Sequence, residues 1–207
     1  MLWLQDMKYK PTKEPLVFSF HPIQSPNTLF LDRDGVLNHV IMRGDEVSSP
    51  RSLAEVNIVE DFDALSLHCV TQTWNLIVVS NQPDLSRGTI DVDLLKSIHE
   101  RIVSKIPINT IYVCPHQRSD HCSCRKPKSG LIQKFRKDYA HIMGTECLVG
   151  DRASDFDCAT NAGIPFILRK RPYNEDLLSL VSHHVDQLGQ LPEILKRMNE
   201  ARRSLRE

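Results

Sequence analysis

Four short apolar runs in this chain each stop at reactive or strongly polar side chains. Leu29–Leu31 leads into Asp32 and Asp34. Asn75–Val79 leads into Ser80, Asn81 and Gln82. Asn109–Val113 leads into Cys114 and His116, and Glu146–Val149 leads into Gly150 and Asp151. Apolar runs of this length read as buried strands. Helical patterns lie between them, over 60–73 (with Phe62, Leu65, Leu67, Cys69 and Val70 apolar), 91–105, 129–142 and 155–162. Ser154 is the expected N-cap of the last of these and Gly163 its stop. A fifth run, Ile164–Leu168, and a final helix over 188–204 complete the pattern. Strands alternating with helices predict an α/β fold: a three-layer, Rossmann-like parallel sheet covered by helices on both faces. In such a sheet ligands bind beyond the carboxyl ends of the strands, where the four reactive endings would gather.

The chain has 207 residues, 26 basic and 26 acidic, so its formal net charge is zero. That length predicts one ordinary domain with a real core. Residues 28–207 are expected to form it. Residues 1–27 read as a poorly specified extension, broken by Pro11, Pro15, Pro22 and Pro26, with a short edge strand at Leu16–Phe20 and Met7 as an alternative first residue. A balanced charge argues against a nucleic-acid binder. No apolar run approaches the roughly 20 residues of a membrane span, and MLWLQDMKYK lacks the apolar core of a signal peptide. The expectation is a cytoplasmic monomer with neither nucleic acid nor membrane as partner. Residues 39–58 are polar and irregular, with turn signals at Gly44–Asp45 and Ser48–Pro50. An insertion directly after the first reactive strand lies where a substrate loop would sit.

Asp32 and Asp34 are two apart on an extended segment, which places both on one side. Gly35 then permits a sharp bend. One reading is a strand ending in an acidic turn. The other is a catalytic pair: were the substrate a phosphate monoester, a carboxylate could attack phosphorus, with a divalent cation offsetting the repulsion among the acids. Magnesium, with its preference for oxygen ligands, suits that role.

Six cysteines are present, three of them clustered: Cys114-Pro115-His116, five residues, then Cys122-Ser123-Cys124. Three thiolates and an imidazole make a closed tetrahedral shell, the structural kind of zinc site. A reduced cysteine-rich turn or a disulfide is the alternative. Cys69, Cys147 and Cys158 read as small buried hydrophobes.

The segments FLDRDGVLN, VSNQPDLSRG, CPHQRSDHCSCRKPK and LVGDRASD closely resemble the haloacid dehalogenase superfamily of phosphohydrolases. Within it they resemble the D-glycero-D-manno-heptose 1,7-bisphosphate phosphatases, with the histidinol-phosphate phosphatases sharing the cysteine loop. The resemblance covers roughly residues 28–190. It implies a small-cap, magnesium-dependent phosphomonoester hydrolase with a structural zinc, acting on a small phosphorylated substrate of carbohydrate or lipopolysaccharide-precursor metabolism. It implies that Asp32 is the nucleophile and Asp34 the general acid/base. Magnesium would be held by Asp32, Asp34 (through its backbone carbonyl) and Asp151, with Asp155 orienting a metal-bound water. Arg33, Ser80, Asn81, Gln82, Arg125, Lys126 and Arg152 would bind phosphate or substrate. Zinc would be held by Cys114, His116, Cys122 and Cys124. Arg43, Arg87, Arg125 and Arg152 are candidates for a second phosphate. Histidinol phosphate is the alternative substrate, and a non-catalytic zinc-stabilised interaction module the alternative class.

Overall fold

Residues 12, 14–142 and 144–204 are described by the structure, a computed structural model. Met7 and the side chains of Leu65 and Cys69 lie outside the described residues. Chain order is β1 (Leu16–Ser19), β2 (Asn27–Leu31), β3 (Ile41–Arg43), β4 (Glu46–Ser48), α1 (Ala64–Thr71), β5 (Trp74–Asn81), α2 (Val92–Val103), β6 (Thr110–Cys114), α3 (Gly130–Asp138), β7 (Glu146–Gly150), α4 (Ala153–Ala162), β8 (Phe166–Arg169), β9 (His184–Val185) and α5 (Leu191–Ser204). Seven strands form one sheet in the order β1-β6-β5-β2-β7-β8-β9. All neighbours are parallel except β1, which caps the edge antiparallel to β6 with Val17 opposite Tyr112.

Side-chain alternation along β2 explains the three layers. Leu29 and Leu31 face one core with Leu95, Ile98 and Ile102 of α2, Val70 of α1 and Leu191 and Leu195 of α5. Phe30, between them, faces the other core with Leu131, Ile132 and Phe135 of α3 and Cys158 and Ala159 of α4. A period of two on a strand buried on both faces demands an unbroken apolar run, which is why these strands were legible as such. Fully burying each large apolar side chain contributes about 1.5–3 kcal/mol.

Two local expectations are corrected. The N-cap of α4 is Arg152, one residue outside the helix. Its backbone N–H is accepted by Asp155 Oδ2 at 3.1 Å, so the carboxylate reaches back from the first turn and Ser154 makes no cap bond. The irregular segment 39–58 contains the β3–β4 hairpin, turned at Gly44 with φ +65°. Strands this short carry too few residues to show a period. No helix among the described residues is long and apolar enough to cross a membrane.

Candidate active site

Parallel pairing of β2 with β5 and β7, in near register, brings Asp32, Ser80 and Asp151 to the carboxyl end of the sheet. The cleft there holds about 370 Å³ and is lined by residues of those strand ends, the hairpin segment and the cysteine loop. A larger cavity of about 680 Å³ lies at the opposite end of the strands, around Thr145, Glu146 and Pro165. Among its described lining residues only Glu146 is acidic.

Lys126 is buried at the centre of the cleft floor. Its Nζ lies 2.8 Å from Asp32 Oδ1 and 2.6 Å from Asp155 Oδ1. Carboxylate oxygens of Asp32, Asp151 and Asp155 all fall within 4.8 Å of one another. One ammonium thus bridges two of the three carboxylates. Burial, with the Asp155 and Asp34 charges adding to it and Lys126 opposing, lifts Asp32 to about 6. Burial, then Asp32 and Asp155, lift Asp151 to about 8. Burial would lower Lys126, but the two carboxylates beside it hold its ammonium above the usual range. Gly150 is required here, because a Cβ would sit 2.3 Å from that of Asp155.

Asp34 has the opposite environment. Its carboxylate accepts from Arg33 Nε (3.1 Å) and Nη2 (2.9 Å), Asn38 Nδ2 (2.9 Å), Ser49 Oγ (2.8 Å) and Gln82 Nε2 (2.8 Å). Burial alone would raise its pKa, but Arg33 and then the three neutral donors lower it below the ordinary carboxylate value. Two acids two residues apart are therefore driven in opposite directions by what faces them.

The other expected residues divide into two groups. Ser80, Asn81, Lys126, Arg125 and Arg152 line the cleft. Asn81 fixes Lys126 from both sides, its Oδ1 accepting from the Lys126 N–H (3.0 Å) and its Nδ2 donating to the Lys126 carbonyl (3.1 Å). Arg33 and Gln82 are not brought to the cleft as substrate contacts. Both are completely buried. Arg33 forks onto Asp34 and approaches His99 Nε2 at 3.4 Å, and Gln82 Nε2 bridges Asp34 and Ser80 Oγ (2.9 Å). They hold the acid rather than the substrate. Arg43 is likewise committed, to Glu55 at 2.7 Å, and Arg87, though at the cleft, pairs with Asp84 at 3.1 Å.

Sequence reasoning gave no role to Ser49, His99, Tyr173 or Asn174. Tyr173 and Asn174 follow β8, whose polar ending at Arg169 repeats the strand-end signal of the other four runs. That repetition was the available clue.

Both metal-ligand sets pass a test of fit. Asp151 Oδ1 is buried with no hydrogen-bond partner among the described residues, beside two further carboxylates. An all-oxygen, anionic donor set with an orphaned oxygen suits magnesium. In the loop, Cys114 Sγ lies 3.6 Å from Cys122 Sγ and 3.5 Å from His116 Nδ1, and Cys124 Sγ lies 3.6 Å and 3.2 Å from the same two atoms. Ligands about 2.3 Å (S) and 2.0 Å (N) from a tetrahedral zinc would be separated by roughly 3.5–3.8 Å. His116 Nε2 lies 2.6 Å from the Thr12 carbonyl, which can only accept, so Nε2 carries the proton and Nδ1 presents its lone pair to the thiols.

The polynucleotide kinase 3 phosphatase family matches residues 52–170, a span that includes Ser80, Lys126 and Asp151 but not Asp32. A D-glycero-beta-D-manno-heptose-1,7-bisphosphate 7-phosphatase of Helicobacter pylori is 30% identical, over 69% of this chain and 82% of the relative. The histidine biosynthesis bifunctional protein HisB of Campylobacter jejuni is 28% identical over 68% of this chain, which spans only 40% of that protein. The crystal structure of D,D-heptose 1,7-bisphosphate phosphatase from B. bronchiseptica, complexed with magnesium and phosphate, is 26% identical. It superposes with a TM-score of 0.67 over 82% of this chain and 98% of the other.

Proposed function

The chain is a phosphatase of the haloacid dehalogenase superfamily, matched by the polynucleotide kinase 3 phosphatase family and akin to the heptose-1,7-bisphosphate phosphatases and HisB, and from that premise we propose that it is a magnesium-dependent phosphomonoester hydrolase working through a phosphorylated Asp32. The observation that carries this reading is the seat of Lys126 between Asp32 and Asp155, with Asp151 and its orphaned oxygen alongside. Asp32, Asp151 and the Asp34 backbone carbonyl are the proposed magnesium ligands. Bound there, the cation would neutralise the acids and screen the charge of a phosphate oxygen.

An Asp32 carboxylate oxygen attacks phosphorus as the ester P–O bond breaks, and Asp34 gives the leaving oxygen its proton. Water then attacks the phosphorus of the aspartyl phosphate, Asp34 takes up the water's proton, and inorganic phosphate leaves with the Asp32 carboxylate restored. Lys126 and the Ser80 hydroxyl stabilise phosphate oxygens as charge redistributes. The five contacts on Asp34 favour its ionised form, the one that activates water. Its acid role requires a proton to be loaded first, at the expense of some of those bonds.

The proposed substrate is D-glycero-D-manno-heptose 1,7-bisphosphate or a similar sugar phosphate. Arg125 and Arg152 at the cleft bond to the carbonyls of His116 (3.1 Å) and Val47 (3.4 Å), which neutralise no charge. They remain available for a second phosphate. The likeness to HisB favours a second reading, histidinol phosphate. Initial rates on heptose bisphosphate, hexose bisphosphates and histidinol phosphate, measured side by side, separate the two. A preference of at least tenfold in kcat/KM for a bisphosphate supports the first reading, and the reverse order overturns it. The Cys/His loop is proposed to hold one structural zinc, setting the position of Arg125 and Lys126 directly after it.

A further inference from the structure

The segment after β8 folds back over both acidic motifs. Arg171 Nε donates to the Gly35 carbonyl at 2.8 Å. Asn174 Nδ2 donates to the Asp151 carbonyl at 2.6 Å and the Arg169 carbonyl at 3.0 Å, while its Oδ1 accepts from the Arg171 N–H at 2.8 Å. Within this brace the Tyr173 hydroxyl donates to Asp151 Oδ2 at 2.5 Å. The other oxygen, Oδ1, stays buried and without a hydrogen-bond partner among the described residues.

We propose that Tyr173 is a positioning residue for the divalent cation: it occupies one oxygen of Asp151 and so turns the other, singly, into the cluster with Asp32 and Asp155. This rests on the reading of the cluster as a magnesium site. A carboxylate free to rotate can chelate through both oxygens, and magnesium's strict octahedral shell disfavours that. A phenol suits the task better than a cation would. It fixes the carboxylate by donating a hydrogen bond and brings no charge of its own.

Gly35 supplies independent geometric support. A Cβ there would lie 2.1 Å from Asp151 Oδ2 and 2.7 Å from the Tyr173 hydroxyl, and the residue has φ +90°. The bend after the first motif is thus shaped around the Tyr173–Asp151 contact. Tyr173 keeps 37% of its surface exposed, so replacing it with Phe removes one hydroxyl without opening the core.

The test is magnesium binding to the whole chain, measured by isothermal titration and, with manganese as the probe, by electron paramagnetic resonance. Wild type, Tyr173→Phe and Asp151→Asn are compared after mild chelation, with zinc content measured in each. The expected result is one magnesium site in the wild type, loss of binding in Asp151→Asn, and about tenfold weaker binding in Tyr173→Phe, at equal zinc content. Binding by Tyr173→Phe as tight as in the wild type, or tighter, overturns the role of Tyr173 while leaving the magnesium site in place. Equal binding by wild type and Asp151→Asn overturns the site itself, and the role of Tyr173 with it.

Discussion

The acid cluster and the cysteine loop are both ready-made ligand sets, and the chain assembles them in contrasting ways. Cys114, His116, Cys122 and Cys124 lie on one short loop, brought together by local turns and by the Thr12 carbonyl on His116. Asp32 and Asp151 are far apart in the sequence and meet only because β2 and β7 pair in the middle of the sheet. The first set is thus local in sequence, although Cys114 closes β6 and Cys124 packs into the core, whereas the second is assembled only by the sheet. They touch at Lys126, which follows Cys124 by two residues and carries the cation of the acid site. The difference teaches that a cluster local in sequence and one assembled across the sheet can be joined through a single side chain, here Lys126.

Removing the proposed nucleophile should give the largest effect. Asp32→Asn is expected to lower phosphate release by roughly 10⁴-fold or more, with circular dichroism and zinc content preserved. Retained turnover would remove the cluster from the chemistry altogether. Next, Cys124→Ser should lose zinc and lower the rate by about 10- to 100-fold, with a lower unfolding midpoint as the loop slackens. A zinc-free variant of undiminished rate would show that the two regions are independent. Asn81→Ala tests the link more finely. Loss of two hydrogen bonds to the Lys126 backbone should cost about tenfold in kcat at unchanged zinc content. A loss of zinc instead would mean that Asn81 braces the loop rather than the lysine.

The smallest effect concerns a control region belonging to neither set. His99, packed edge-on to Phe18 and buried behind Arg33, is held well below the ordinary histidine pKa, first by burial and then by the Arg33 charge. Below about pH 6.5 the unfolded chain gains a proton that the folded ring refuses. Stability should fall as pH drops through that window, by up to about 1.4 kcal/mol per pH unit. His99→Gln should flatten this slope in urea titrations without altering zinc content. An unchanged slope would mean that His99 is not the group titrating.

Much of this was legible because both signals are short-range. Apolar runs buried on two faces announce the strands, and reactive residues at their ends announce the cleft. The cysteine spacing is visible in a single line of sequence. What was not legible depends on side-chain direction. Arg33 lies between Asp32 and Asp34 in the sequence, yet its side chain turns into the protein and grips Asp34. Arg43, in a hairpin too short to show a period, is taken by Glu55. Tyr173 lies in the segment after β8, whose polar ending marked the region but not which side chain would turn back onto Asp151. The edge strand β1 was expected from Leu16–Phe20, but no pattern in the sequence foretold that the Thr12 carbonyl, just ahead of it, would meet His116 Nε2.

Everything in the proposed chemistry passes through a covalent bond at one side chain, so the decisive measurement is to trap it. Labelled substrate is mixed with enzyme for a fraction of one turnover, quenched in acid and digested, and the peptides are analysed by mass spectrometry. Phosphate on the peptide containing Asp32, absent in Asp32→Asn, is the predicted result. Turnover with no phosphorylated peptide at any quench time, or phosphate carried by a different residue, would contradict it.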